Sequence, residues 1–224
     1  MKIIDNIERI ERKWSLHNCT KAQFHIAICR SKFCFIKEYE SRKVNSIYFD
    51  DINLNSLNEN LDGNTLKAKY RVRWYGNPKK INSARFEIKM KKGFLSKKKI
   101  YNIQNNKFDF NLENLKKLTD EVNNILYHRK KLQPILTTHY VRDYFISANR
   151  KIRSTIDDKL QSIMILNSGS LNSIKNFKKL VLELKYSVEN DEYVKKNLSQ
   201  MKDLRLSKNS KYLISAIDEK FSYS

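Results

Sequence analysis

Glycine and proline are nearly missing from this 224-residue chain, which has four glycines and two prolines. Collagen-like, proline-rich and glycine/serine-linker architectures are excluded on that count. The glycines stand at 63, 76, 93 and 169, so no G-x-x-x-x-G-K-[ST] phosphate loop and no G-x-G-x-x-G dinucleotide turn is present. Cys19, Cys29 and Cys34 are three in number and make no C-x-x-C pair, which argues against a disulfide framework or a zinc ribbon. Reduced thiols are the plain reading. His17, His25, His128 and His139 show no H-E-x-x-H or other ligand spacing. No apolar run approaches the roughly 18 residues of a membrane-spanning helix. The opening segment, MKIIDNIERIERK, is charged throughout and has no apolar h-region. A cytoplasmic chain is expected, associated with a membrane face only through a partner.

Acidic charge is also scarce. Lys and Arg total 45 and Asp and Glu 24, a formal charge of +21. An excess of that size repels itself in a compact state and points to an anionic partner: nucleic acid, a lipid surface, or a phosphorylated molecule or polymer.

What is abundant is alternation with the period of a strand. In Arg9–Leu16, Ile10, Arg12, Trp14 and Leu16 share one face, and Arg9, Glu11, Lys13 and Ser15 the other. Val44–Asp50 is β-branched and aromatic. Lys69, Arg71, Arg73 and Tyr75 oppose Tyr70, Val72 and Trp74; Arg85, Glu87, Lys89 and Lys91 oppose Phe86, Ile88 and Met90. Gly93 marks a turn, and Lys97–Ile103 returns as a strand. Later, Thr138, Tyr140, Arg142 and Tyr144 share a face, as do Lys151, Arg153, Thr155 and Asp157, and Val181, Glu183 and Lys185. Gln161–Leu166 reads as a short apolar strand. Helical spacing occupies Thr20–Arg30, Leu112–Leu132, Asp191–Met201 and Ser207–Lys220.

The charged faces are unusual for solvent faces, because each carries Arg and Lys with few acids. Side by side in one sheet, such rows set like charges opposite one another, which is destabilising. An inverted barrel resolves this: apolar faces turn outward under helices, and cations line a bore just wide enough for side chains or one ligand. The expectation is a single α+β domain over residues 1–224, an eight-stranded antiparallel β-barrel with a basic interior covered by several helices. Its bore would hold Lys13, Lys69, Arg71, Arg73, Lys89, Lys91, Arg142, Arg153 and Lys185, with Glu11, Glu87 and Glu183 among them. The lysine runs Lys97–Lys99, Lys130–Lys131 and Lys195–Lys196 are expected on the exterior, and Trp14 and Trp74 in the core.

In this order, ERKW (11–14), VNSIYFDD (44–51), KYRVRWYG (69–76), FEIKMKKG (86–93), YVRDYF (140–145), IRSTID (152–157), LELKY (182–186) and SKNSKYL (207–213) resemble the VTC (vacuolar transporter chaperone) domain, the polyphosphate polymerase branch of the triphosphate tunnel metalloenzymes. The resemblance spans nearly the whole chain. It implies an eight-stranded tunnel that transfers the γ-phosphate of ATP to a growing polyphosphate chain with Mg²⁺ or Mn²⁺. It implies catalytic roles for Lys69, Arg71, Arg73, Lys89, Arg142 and Arg153. Substrate contacts fall to Lys13, Lys91, Lys185, Lys208, Ser210, Lys211 and Tyr140, and the metal to Glu183 with Glu87 as second carboxylate. The implied partners are ATP and inorganic polyphosphate, with a membrane protein as recipient for product export and no nucleic acid. The chain departs from the hydrolytic branch, whose first strand carries E-x-E-x-K: Arg9 stands two before Glu11, and Glu8 is out of phase. Transfer to phosphate is therefore favoured over a tunnel triphosphatase, and the mixed Glu and cation pattern argues against a non-catalytic polyanion binder; a non-catalytic accessory subunit of the same family stays open as an alternative.

Overall fold

A computed structural model describes residues 9–16, 20–92, 95–104, 107–127, 130–165, 174–198 and 210–220. His17, Cys19, the turn at Gly93, His128, Gly169, Lys208 and the outer ends of the three expected segments at Leu166, Met201 and Ser207 lie outside the described residues.

The strands are β1 (Arg9–Leu16), β2 (Ile36–Asp50), β3 (Leu66–Tyr75), β4 (Lys80–Asn82), β5 (Arg85–Lys92), β6 (Leu95–Asn102), β7 (Lys107–Asp109), β8 (Gln133–Ile146), β9 (Arg153–Met164), β10 (Lys175–Phe177) and β11 (Leu180–Ser187). The helices are α1 (Lys21–Cys29), α2 (Asn55–Leu61), α3 (Leu112–Ile125), α4 (Asp191–Leu198) and α5 (Lys211–Lys220). Eight strands run antiparallel in the order β1-β11-β9-β8-β2-β3-β5-β6, with β10 added beside β9. The sheet curls into a half-barrel. β1 stands first in that order and β5 seventh, yet Lys89 Nζ donates to Glu11 Oε2 at 2.6 Å. Among the described residues no backbone ladder joins β1 to β6, so side chains bridge the seam.

The outer faces are apolar, as the alternation requires. Trp74, Val72 and Phe86 pack under Leu115, Leu118 and Val122 of α3. Trp14, Leu182 and Leu184 pack with Phe24 and Ile28 of α1 and Val194 of α4. Thr20 opens α1 with a capping box closed by Gln23. α3 ends at Ile125 instead of reaching Leu132. Buried Asn123 exchanges hydrogen bonds with the backbone of Leu132, so the chain turns into β8 there.

The two expected strands Lys151–Asp157 and Gln161–Leu166 are one strand, β9, interrupted by a bulge. The β8–β9 register slips between His139 and Val141, where Lys159 sits at φ 53° and donates its N–H to Asp158. The extra residue bends the ladder opposite Tyr140. α5 is placed by Asp50, which is fully buried. Its carboxylate accepts the N–H groups of Ser56 and Leu57 at the start of α2, and the Tyr212 hydroxyl at 2.6 Å. Tyr212 also stacks on Tyr48 at 5.2 Å. The start of α5 is thereby held against the concave face of the sheet.

Candidate functional site

Cross-strand register decides which side chains share the concave face. Lys13 pairs with Glu183 and Glu11 with Lys185; Lys69 pairs with Lys89 and Arg71 with Glu87; Arg142 pairs with Asp157. Partners directly opposite in an antiparallel ladder project to the same side. The side chains then meet across the bore as well as along the sheet.

Most of these charges are neutralised within the protein. Arg142 forks onto Asp157, with Nε 2.6 Å from Oδ1 and Nη2 2.8 Å from Oδ2, and a second Nη2 contact reaches Glu183 at 3.6 Å. Asp157 also receives the Lys211 ammonium from α5. Burial opposes ionisation of Asp157, but Arg142 and Lys211 outweigh it and hold the carboxyl down at about 2. Glu87 is clasped by Arg71 at 2.6 Å, by Lys98 at 2.6 Å and more loosely by Arg73 at 3.9 Å. Glu183 lies 2.7 Å from Lys185 and 3.8 Å from Lys13, and Glu11 lies 3.5 Å and 3.7 Å from the same two ammoniums. Burial disfavours the Glu183 charge, yet Lys13 and Lys185 hold its carboxyl well below the ordinary value.

Two cations are left without such compensation. Lys69 has no carboxylate within ion-pair distance among the described residues, and its Nζ donates to Ser210 Oγ at 2.8 Å. Burial, followed by repulsion from Lys13, Lys89 and Arg71, pulls its pKa down to about 7. Arg73 is ion-paired only at the long Glu87 distance; Nη2 reaches the Tyr140 hydroxyl at 3.4 Å, and Nε is buried with no hydrogen-bond partner. Lys89, despite Glu11, is pulled down to about 8 by burial. The deep bore is therefore a pocket of donors seeking oxygen acceptors. Tyr140 borders it, with Lys211 Nζ 4.4 Å above its ring, and burial notwithstanding, Arg142, Arg73 and Lys211 lower its phenol pKa.

Register brings together Lys13, Lys69, Arg71, Arg73, Lys89, Arg142, Lys185, Tyr140, Glu87 and Glu183 of the expected site, and the docking of α5 adds Ser210 and Lys211. Arg153 keeps the correct face but stands at the rim: its side chain is 57% exposed and 3.7 Å from Glu38. Lys91 is exposed, and Lys151 sits in the turn before β9. Lys98 corrects the expectation of an exterior residue, because β6 pairs it with Lys89 and aims it at Glu87. Asp157, the most buried acid of the site, was visible in the sequence only as a member of the charged face; its role follows from pairing with Arg142 across a bulged ladder. Glu11 likewise emerges as the carboxylate beside Glu183, completed across β1 and β11 and not within β1.

The family model for the VTC domain matches residues 6–217. The chain belongs to the VTC domain family. Among solved structures, it is similar to a Vibrio parahaemolyticus protein provisionally named an adenylate cyclase, with 12% identity, a TM-score of 0.54, and 94% of this chain and 99% of that one covered. It is also similar to a Pyrococcus horikoshii OT3 protein, with 12% identity, a TM-score of 0.51, and 95% and 99% coverage. At this identity the likeness establishes the fold. No curated protein matches the sequence.

In this VTC domain the carboxylates sort by what surrounds them. Glu87 is saturated by cations and anchors Arg71, which burial works against but Glu87 holds firmly protonated. Glu183 differs. Lys185 approaches its Oε1 as an ion pair but without hydrogen-bond geometry, so this buried oxygen keeps an open acceptor site beside Glu11. Two neighbouring hard oxygen donors suit Mg²⁺ or Mn²⁺. No group of three or more His, Cys, Asp or Glu that could hold a metal occurs among the described residues, so substrate oxygens and water would complete a shell. No helix among the described residues is long and apolar enough to cross a membrane.

Proposed function

We propose that this VTC domain is an ATP-dependent polyphosphate polymerase. The reading is carried by one observation: buried, under-compensated Lys69 and Arg73 stand in the same bore as a carboxylate pair with an open oxygen. Phosphoryl transfer demands mainly positioning and charge neutralisation. A terminal phosphate oxygen of the growing chain attacks the γ-phosphorus of ATP, the bond from that phosphorus to the β,γ-bridging oxygen breaks, and ADP leaves. The nucleophile is already anionic, so no general base is required, and among the described residues no His pairs with the charged side chains of the bore. The obstacle is repulsion between two polyanions. Each pair of unit charges at 4 Å costs about 4 kcal/mol at an effective dielectric of 20. Arg73 orients phosphate oxygens through its guanidinium fork, while Arg71 and Arg142, already held by Glu87 and Asp157, add fixed positive charge beside it. Lys13, Lys69, Lys89 and Lys211 supply compact charge. Glu183 and Glu11 would hold a divalent cation, which would supply further neutralisation of phosphate charge. Arg153 and Lys91 serve the polymer at the rim.

Purified protein incubated with ATP and Mn²⁺ is expected to make long polyphosphate, and Arg73→Ala or Glu183→Gln to lower the rate by about 10²–10³-fold while the fold persists. Product at the wild-type rate from either variant would refute the site. The Glu11–Glu183 pair favours a second reading, a tunnel triphosphatase; free phosphate in place of polymer in the same assay would establish it.

A further inference from the structure

Above Arg142 the concave rows end in aromatic residues. Tyr75 follows Arg73 on the same face of β3, and Tyr144 follows Arg142 on β8. Arg42, paired with Arg142 in the β2–β8 register, lies 5.6 Å from the Tyr39 ring centroid, 5.9 Å from Tyr75 and 5.6 Å from Tyr144. Tyr39 and Tyr144 meet edge to face at 5.9 Å. This is one guanidinium holding three rings in fixed orientations at the mouth of the bore, and it is not a core: Tyr39 is 48% exposed and Tyr75 47%. Half-exposed rings gathered around one guanidinium leave a clustered apolar surface that a planar ligand can cover.

We propose that Tyr39, Tyr75 and Tyr144, ordered by Arg42, form a stacking platform for the base of a nucleoside triphosphate whose phosphates enter the bore. The inference rests on the ATP reading of the bore and adds the subsite for the base. Two residues of strand, about 7 Å, separate the platform from the first deep arginines, which leaves room for a sugar between. Every base has a π-face, and rings of this kind grip without reading base edges. The platform therefore holds adenine and guanine with similar strength, and donor choice does not come from the base.

The test is calorimetric binding of ATP, GTP and inorganic tripolyphosphate to the full chain. Tyr39→Ala, Tyr75→Ala and the double variant should weaken ATP and GTP, the double variant about tenfold. Tripolyphosphate affinity, which also reports an intact bore, should not move. Tyr39→Phe/Tyr75→Phe should bind like wild type, because the ring and not the hydroxyl acts. Unchanged nucleotide affinity in the alanine variants, or equal loss for nucleotides and tripolyphosphate, overturns the platform while leaving the polymerase standing. Wild-type protein that binds tripolyphosphate but not ATP overturns both.

Discussion

Arg142 and Lys69 face the same bore and live in opposite circumstances. Arg142 is forked onto Asp157, backed by Glu183, and shares its carboxylate with Lys211 from α5. Lys69 has a serine hydroxyl and four cationic neighbours, Lys13, Lys89, Arg71 and Lys67. The first arrangement is complete without a ligand and fixes the shape of the tunnel: it ties β8 to β9 and docks the start of α5. The second is incomplete and gains most from an incoming phosphate. The difference separates the cations that build the bore from those that wait for a substrate, although alternation alone places both in equivalent rows.

The largest effect expected from this contrast is on stability. Asp157→Asn strands two buried cations, and removing one partner of a buried pair costs about 3–5 kcal/mol. Urea unfolding measures it, and a loss under about 1 kcal/mol would erase the distinction. Lys69→Met should act with opposite signs on two quantities. Phosphate-chain binding should weaken roughly tenfold or more with the loss of a charge-assisted contact, as read by tripolyphosphate titration. Stability near pH 7 should rise, because a desolvated charge is gone. The sign with pH follows from the depressed pKa: between about 7 and the ordinary 10.5 the unfolded chain holds a proton that folded Lys69 does not, so wild-type stability gains on the variant as pH rises. A variant less stable than wild type at pH 7 would place Lys69 among the structural cations. The smallest effect is proton uptake. Anion binding favours the charged ammoniums of Lys69 and Lys89, so tripolyphosphate should bind more weakly as pH rises through about 7 to 8, with uptake of up to two protons. Calorimetry in buffers of different ionisation heat measures this, and no uptake would mean that the bore is charged before the ligand arrives.

Strands of the half-barrel were legible where alternation is unbroken, as in β1 (Arg9–Leu16), whereas of β2 only Val44–Asp50 was marked and its first half, from Ile36, was not. The break between Asp157 and Gln161 was legible too, but only as an end of strand. A bulge and a turn look alike when the sole cue is lost alternation, and the partner strand decides between them. α2, a seven-residue helix with only two apolar side chains, Leu57 and Leu61, left no periodic mark. It forms where Asp50 takes its first N–H groups. Lys98 was hidden for a related reason: in KKK any residue can take either face, and only its pairing with Lys89 assigns it to the bore.

Period-two patterning and a lopsided charge count were thus enough to dictate an inverted sheet, oily outside and cationic inside, because each strand carries its own record of two faces. Which cations neutralise which acids was settled by register, curl and the docking of α5. Those bring Lys211 to Asp157 and Lys89 to Glu11 from 54 and 78 positions away along the chain. Electrostatic compensation depends on distances through space, and a linear sequence does not record them.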